Sequence, residues 1–239
     1  MKSCGKTDTG NKRSNNQDSI FFCDKPVGAL PNLYIVADGM GGHRAGDRAS
    51  RMAIDISVDF IRESTLENPI AILKRAMIYA NNEIYKMASK DPDLKGMGTT
   101  MVAAVAMDGR LYVANIGDSR LYSIENDIKQ ITMDHSLVEE MIRSGELERK
   151  KGRNHPEKNI ITKAMGSKEE VIPDFFEVEI HPGEKFLLCS DGLSNMVEDD
   201  EIRDIIVDNV RLDDIAEALI DRANYYGGTD NISVVIISE

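Results

Sequence analysis

Two pairs of amphipathic helices interrupt a chain that otherwise reads as short apolar strands, and that order leaves few folds open. The first strong strand is Leu33-Tyr-Ile-Val-Ala37, a continuous apolar run that meets Asp38-Gly39, as expected for a strand buried on both faces. A helix follows it, because Ala45, Ala49, Met52, Ala53, Ile56 and Phe60 recur every three or four residues and form one stripe. A second helix opens at Asn68-Pro69, a cap followed by proline in the first turn, and carries Leu73, Ala76, Met77, Ala80, Ile84 and Met87 inward. Strands return over residues 99–107, 111–116 and 121–124, with Asp108-Gly109 as a hairpin turn, so consecutive antiparallel hairpins are predicted here. Ser136 and Glu139 form a capping box, and Gly145 stops a short helix. After a polar excursion over residues 146–159 come strands at 176–180 and 185–190, a helix pair at 200–208 and 212–223, and a last strand at 232–237. Helix pairs set between runs of strands predict an α+β fold with helices packed outside stacked antiparallel sheets.

No Pro-, Gly- or Ser-rich linker and no repeat divides the 239 residues, so residues 1–239 are predicted to form a single domain. A domain of that length buries ~70–75% of the surface its unfolded chain would expose, and needs no disulfide or structural metal to hold it together. The three cysteines, Cys4, Cys23 and Cys189, form no CxxC pair and are expected as free thiols, Cys189 as a small core residue. The net charge of −12 opposes the phosphate attraction on which nucleic-acid binding depends. No apolar run reaches the ~18 residues of a membrane span, and the first residues lack the apolar stretch of a signal peptide. A cytoplasmic protein without a nucleic-acid or membrane partner is the expectation.

The acids carry the chemistry. Four turns at strand ends contain aspartate: Asp38-Gly39, Gly117-Asp118-Ser119-Arg120, Asp191-Gly192 and Asp230-Asn231. Each alone reads as ordinary turn chemistry. Gathered on one rim, their carboxylates would repel until they took up protons or a cation. Aspartates, a turn carbonyl such as that of Gly39 and water make an all-oxygen set suited to Mg²⁺ or Mn²⁺ rather than zinc. The four histidines, at 43, 135, 155 and 181, show no metal-ligand spacing. A carboxylate site holding two metals ~3.5–4 Å apart is the standard arrangement for attack on phosphorus, which points to a phosphohydrolase. Arg13, beside Asp18 in a polar loop, reads equally as a phosphate clamp or as a solvated surface arginine.

At this point the chain resembles the metal-dependent serine/threonine protein phosphatases of type 2C, and in particular their bacterial branch. The resemblance runs from Thr7-Asp8-Thr-Gly10 through Arg13, Asn16-Gln-Asp18, Val36-Ala-Asp-Gly-Met-Gly-Gly42, Gly98-Thr-Thr100, Asn115-Ile-Gly-Asp-Ser-Arg120, Asp134-His-Ser136, Ile161-Thr-Lys-Ala-Met-Gly166 and Cys189-Ser-Asp-Gly192 to Gly228-Thr-Asp-Asn231, in order and with matching spacing. It implies a sandwich of two antiparallel sheets with helices on both outer faces and a metal centre in a cleft at one end. It also implies roles. Asp38 would bridge two Mn²⁺ or Mg²⁺ ions, Gly39 would lend its carbonyl, and Asp191 and Asp230 would complete the first ion's set. Asp18 would serve the second ion, Asp118 with Asp191 would hold a third, looser ion, Asn231 would support them, and Arg13 would clamp phosphate. The implied reaction is direct attack of a metal-bridging water or hydroxide on phosphoserine or phosphothreonine in a protein, opposing a bacterial serine/threonine kinase. The enzyme is expected to act as a monomer.

Three positions depart from the family pattern. Gln17 stands where some relatives carry glutamate, and Met40 where eukaryotic relatives carry a histidine suggested as general acid. His43 is close in sequence but reads as a loop or helix-start residue, which leaves metal-bound water as the proton donor. Gly39, Gly41, Gly42 and Gly46 do not make a dinucleotide loop, because Arg44 occupies the third glycine position. Residues 146–166 resemble a flap beside the cleft, and its cations Arg149, Lys150, Lys151, Arg153 and Lys158 read either as a solvated loop or as a recruiter of anionic phosphosegments. A rival to catalysis is a silent phosphoprotein-binding regulator of the same fold, which the complete ligand set disfavours.

Overall fold

The computed structural model describes every residue except Gly42, His43 and Arg44. The expectations for His43 and Arg44 therefore lie outside the described residues. In chain order the elements are β1 (Lys2–Asp8), β2 (Asp18–Cys23), β3 (Leu33–Met40), α1 (Ala45–Glu63), α2 (Pro69–Lys90), β4 (Gly98–Thr99), β5 (Met101–Met107), β6 (Arg110–Ile116), β7 (Arg120–Ile124), β8 (Ile128–Gln130), α3 (Leu137–Ser144), α4 (Arg149–Gly152), β9 (Asp174–Glu179), β10 (Lys185–Cys189), α5 (Asp191–Ser194), α6 (Asp199–Asp208), α7 (Leu212–Tyr225) and β11 (Ile232–Ser238). One sheet has the order β1-β11-β10-β7-β8 and the other β2-β3-β5-β6-β9, with β4 on β3, and all named pairings are antiparallel.

Period-two alternation explains why the central strands are apolar throughout. In β3, Leu33, Ile35 and Ala37 face the core shared with α1 and α2, whereas Tyr34 and Val36 enter the layer between the sheets. In β10 and β11, Leu187, Cys189, Val234 and Ile236 pack with α6 and α7, while Phe186, Leu188, Val235 and Ile237 fill the same middle layer. The result is the α-β-β-α sandwich. Asn68 caps α2 by accepting a hydrogen bond from the Ala71 N–H at 2.9 Å, and Asp108 and Gly109 make the β5–β6 turn with φ of 52° and 73°. All three cysteines are free, and Cys189 is buried.

Several expectations change. Asp38-Gly39 is not a turn but part of β3, where Asp38 pairs with Asp18 and Gly39 with Thr99. The predicted run of hairpins breaks after β6, because β7 crosses to the other sheet and pairs with β10 and β8. Asp191 opens the short helix α5 rather than a turn. Strands β1 and β2 escaped detection because their residues are mostly polar or half-buried. Only half of the capping box forms: the Ser136 side chain accepts from the Glu139 N–H at 3.2 Å, but the Glu139 carboxylate turns to Arg149.

Phe186 is fully buried in the layer between the sheets. Phe186→Ala should cost about 3–5 kcal/mol of unfolding free energy in a urea titration, and a loss below about 1 kcal/mol would show that this layer does not hold the sheets together.

Candidate metal centre

The two sheets deliver their acids to one end of the sandwich. Asp18 and Asp38 are direct partners across β2 and β3, a placement in which side chains stand ~4.5–5.5 Å apart at Cβ and like charges destabilise. The backbone of Asp38 is pinned: its N–H donates to Thr100 Oγ1 at 3.0 Å, and its carbonyl accepts from the Thr100 N–H and the Thr99 hydroxyl, both at 2.8 Å. Next to it, the Gly39 N–H donates to the Gln17 carbonyl at 3.1 Å. A Cβ on Gly39 would come within 2.0 Å of the Gly46 carbonyl oxygen, so only glycine lets α1 begin this close to β3.

From the opposite sheet, β10 ends at Ser190-Asp191. The Ser190 hydroxyl donates to Asp18 Oδ2 at 2.7 Å and accepts from the Ser233 N–H at 3.0 Å, which ties the sheets together at the rim. Asp191 accepts from the Asn195 amide at 3.0 Å. Asp230, just before β11, accepts from Arg13 at 2.8 Å, and about half of the Arg13 side chain remains exposed. Asn231 anchors the loop that carries Arg13: its Oδ1 accepts from the Gln17 N–H at 2.9 Å, and its amide donates to the Thr9 and Asn15 carbonyls at 2.8 and 2.9 Å. Asp118 sits on the crossing from β6 to β7 and is buried. Beside it Arg120 forks onto Asp134 and donates to the Tyr122 hydroxyl.

The electrostatics follow from this crowding. Burial, and then the fields of Asp18, Asp191, Asp118 and Asp230, push the Asp38 carboxyl well above the ordinary range. Burial and the charge of Asp191 do the same to Asp118. Asp18 is raised to about 7, chiefly by burial, against the opposing hydrogen bonds from Ser190 and Ser233. Asp191 rises to about 6 by burial and the field of Asp230, while a hydrogen bond with Asp38 and the charges of Arg120 and Arg13 hold it down. Such stacking of like charges marks functional sites more often than structural ones.

One oxygen each of Asp18, Asp118 and Asp191 is buried with no hydrogen-bond partner. Buried polar atoms are rarely left this way, and an all-oxygen anionic set with orphaned lone pairs fits Mg²⁺ or Mn²⁺. Among the described residues no group of three or more acidic, histidine or cysteine side chains is placed so that it could hold a metal ion as it stands. The carboxylates are neighbours rather than a formed metal cage, and Asp118 and Asp191 reach an open side.

That side is a cavity of about 600 Å³, reached by Asp118 and Asp191 and walled by α3, α4 and the start of α6. Three of the five cations read either as a solvated loop or as a recruiter of substrate are already paired: Arg149 with Glu139, Lys151 with Glu148 and Arg153 with Glu198. Lys150 and Lys158 line the cavity, as do Arg149, Arg153, Glu198, Asp199 and Asp200. Thr99, Thr100, Ser190, Arg120 and Asp134 received no role from the sequence, although all lie in its motifs. Their work is done through hydrogen bonds that only the folded chain reveals.

A two-sheet sandwich with an oxygen-only anionic centre at one rim defines a metal-dependent phosphohydrolase. The chain belongs to the protein phosphatase 2C family, whose description, "Protein phosphatase 2C", matches residues 7–226. It is 41% identical to the serine/threonine phosphatase Stp of Listeria innocua, over 97% of this chain and 93% of that protein. Its fold is similar to that of the serine/threonine phosphatase Stp1 from Staphylococcus aureus, with a TM-score of 0.92 and 32% identity, covering 100% of this chain and 95% of the other. The catalytic domain of the phosphatase PstP, solved with two manganese ions, matches with a TM-score of 0.85 and 33% identity over 98% of this chain and 96% of that one.

The raised carboxyls predict how stability responds to pH. Folded-state values of about 7 and about 6, against an ordinary 3.8, mean that the folded chain binds more protons than the unfolded one between about pH 4 and 7. The stability these protons confer is full below about 4 and is lost as pH rises through 6 and 7. In chelator, the Tm should fall between pH 5 and pH 8. Saturating Mn²⁺ at pH 8 should restore roughly 5–10 °C, given about 2.7 kcal/mol at a hundredfold excess over Kd. A Tm in chelator that climbs over this interval, with no response to Mn²⁺, contradicts the assignment.

Proposed function

We propose that the chain hydrolyses phosphoserine and phosphothreonine in proteins at this centre, with two Mn²⁺ or Mg²⁺ ions and a third, looser one. The single observation that carries the reading is the set of buried aspartates with orphaned oxygens at the rim where both sheets end. When bound, the ions supply a water acidic enough to attack phosphorus at neutral pH and a positive clamp for the phosphoryl oxygens. Asp38, in the middle of the cluster and felt by all four other aspartates, would be shared by two of the ions. Asp191, Asp230 and the Gly39 carbonyl would complete the first ion's set, Asp18 would serve the second, and Asp118 with Asp191 would hold the third.

Arg13 reaches the centre through Asp230 and is half exposed, so its remaining donors can take a phosphoryl oxygen in a fork. Asn231 keeps it in place by holding its loop at three backbone groups. No side chain forms a covalent phosphoenzyme in this scheme. Residues 146–166 form the flap beside the cavity, and Lys150 and Lys158, rather than all five cations, face an incoming anionic segment. The partners are phosphoproteins and the serine/threonine kinase whose work the enzyme reverses. The protein acts as a cytoplasmic monomer, within a single domain spanning residues 1–239. No helix among the described residues is long and apolar enough to cross a membrane.

The purified protein should release phosphate from phosphopeptides with Mn²⁺ and stop when chelator is added. Asp38→Asn should lower kcat on the order of 10²–10³-fold, the scale of losing one preorganised electrostatic group. Arg13→Ala should raise KM about tenfold with a smaller loss in kcat, as expected when a substrate-binding charge is removed. Phosphate release that survives both the chelator and Asp38→Asn would refute the proposal.

A further inference from the structure

Behind the carboxylates, His135 is buried and holds the crossing turn that carries Asp118 by both of its backbone groups. The Gly117 N–H donates to His135 Nδ1 at 2.9 Å, and the His135 N–H donates to the Gly117 carbonyl at 3.0 Å. Gly117 has no slack of its own. Its φ is +103°, and a Cβ there would come within 2.5 Å of Thr100, the residue whose hydroxyl accepts from the Asp38 N–H.

Because Nδ1 accepts, the ring proton is on Nε2, which donates to Asp174 Oδ2 at 3.1 Å. The Lys163 ammonium, 3.1 Å from Nε2, cannot donate to a nitrogen that already carries hydrogen. It turns instead to Asp174 Oδ1 and the Ile172 carbonyl, at 3.1 and 3.3 Å. The His135 carbonyl in turn accepts from the Thr162 N–H at 2.8 Å. His135 thus joins the Asp118 turn to the start of β9 through its side chain, and to the segment at Thr162 through its backbone.

We propose that His135 is a positioning residue for Asp118: by clamping Gly117 it fixes where the Asp118 carboxylate stands before a divalent ion arrives. It acts through the backbone and does not itself touch the ion. The inference rests on Asp118 being a ligand. Partners that orient a ligand in this way typically contribute 10–100-fold to metal affinity.

The test is Mn²⁺ titration of the chelator-stripped full chain by calorimetry, with folding followed by circular dichroism. His135→Asn places an amide oxygen near the position of Nδ1 and should keep the weakest Mn²⁺ site within about threefold. His135→Gln loses that acceptor and should weaken the same site about tenfold or more, leaving the tighter sites unchanged. Should the Gln variant not fold, Asp174→Asn, which frees the ring from its orienting carboxylate, is read in the same way and should also weaken that site. Equal affinities in the Asn and Gln variants, whether both normal or both reduced, would assign His135 a packing role and overturn the inference. Asp118→Asn separates the two claims. If it leaves Mn²⁺ binding unchanged, the ligand reading of Asp118 fails and the inference with it; if it weakens binding while His135→Gln does not, the inference alone fails.

Discussion

Repulsion among Asp18, Asp38, Asp118 and Asp191 is the constraint around which the rest of the molecule is arranged. Each of these carboxyls is pushed upward by burial and by at least one neighbouring aspartate, which for Asp191 is Asp230, and three carry an orphaned oxygen. A fold that gained nothing from this proximity would not keep it, because any one of the acids could be replaced by a neutral residue at a saving. The sandwich opposes the repulsion with contacts that do not depend on charge. Ser190 bridges the sheets onto Asp18, Thr99 and Thr100 hold the Asp38 backbone, and Asn231 staples the loop that carries Arg13. Divalent ions are the natural counter-charge, and membership of the protein phosphatase 2C family supplies the chemistry they serve.

Much of this was legible in the sequence where the signal was local. The α2 stripe, the Asn68 cap and the Asp108-Gly109 turn are dictated within a few residues, and the structure has each of them, with Met87 only partly buried; the α1 helix also forms, but its buried face turns from Met52, Ile56 and Phe60, which are partly buried, to Ile54, Val58 and Ile61. The acids were legible as a set, but the reason given for them was partly mistaken. Asp38 lies within a strand, not at its end, and its charge meets Asp18 only because β2 pairs with β3 in that register. Strand β2 itself was missed, so that pairing could not be foreseen. The crossing of β7 into the other sheet was also invisible, since a tight connection looks alike whether the next strand pairs beside the last one or opposite it. That crossing is what carries Asp118 to the rim.

The basic segment after α3 shows the same limit. As a sequence it is a basic run; as a structure most of that charge is spent on Glu139, Glu148 and Glu198. The Arg153–Glu198 pair joins this segment to the residue before α6 beside the cavity, an ion pair of modest strength. Lys150 and Lys158, for which no ion pair is found among the described residues, line the cavity together with the acids at the start of α6.

The central claim, that carboxylates from both sheets are gathered to hold divalent ions, is tested most directly by anomalous diffraction at the manganese edge from crystals grown with Mn²⁺. The account predicts two strong peaks flanking the Asp38 carboxylate, one of them also against Asp191 and Asp230. A map with no peak there, or with peaks only at exposed acids elsewhere on the surface, would contradict it.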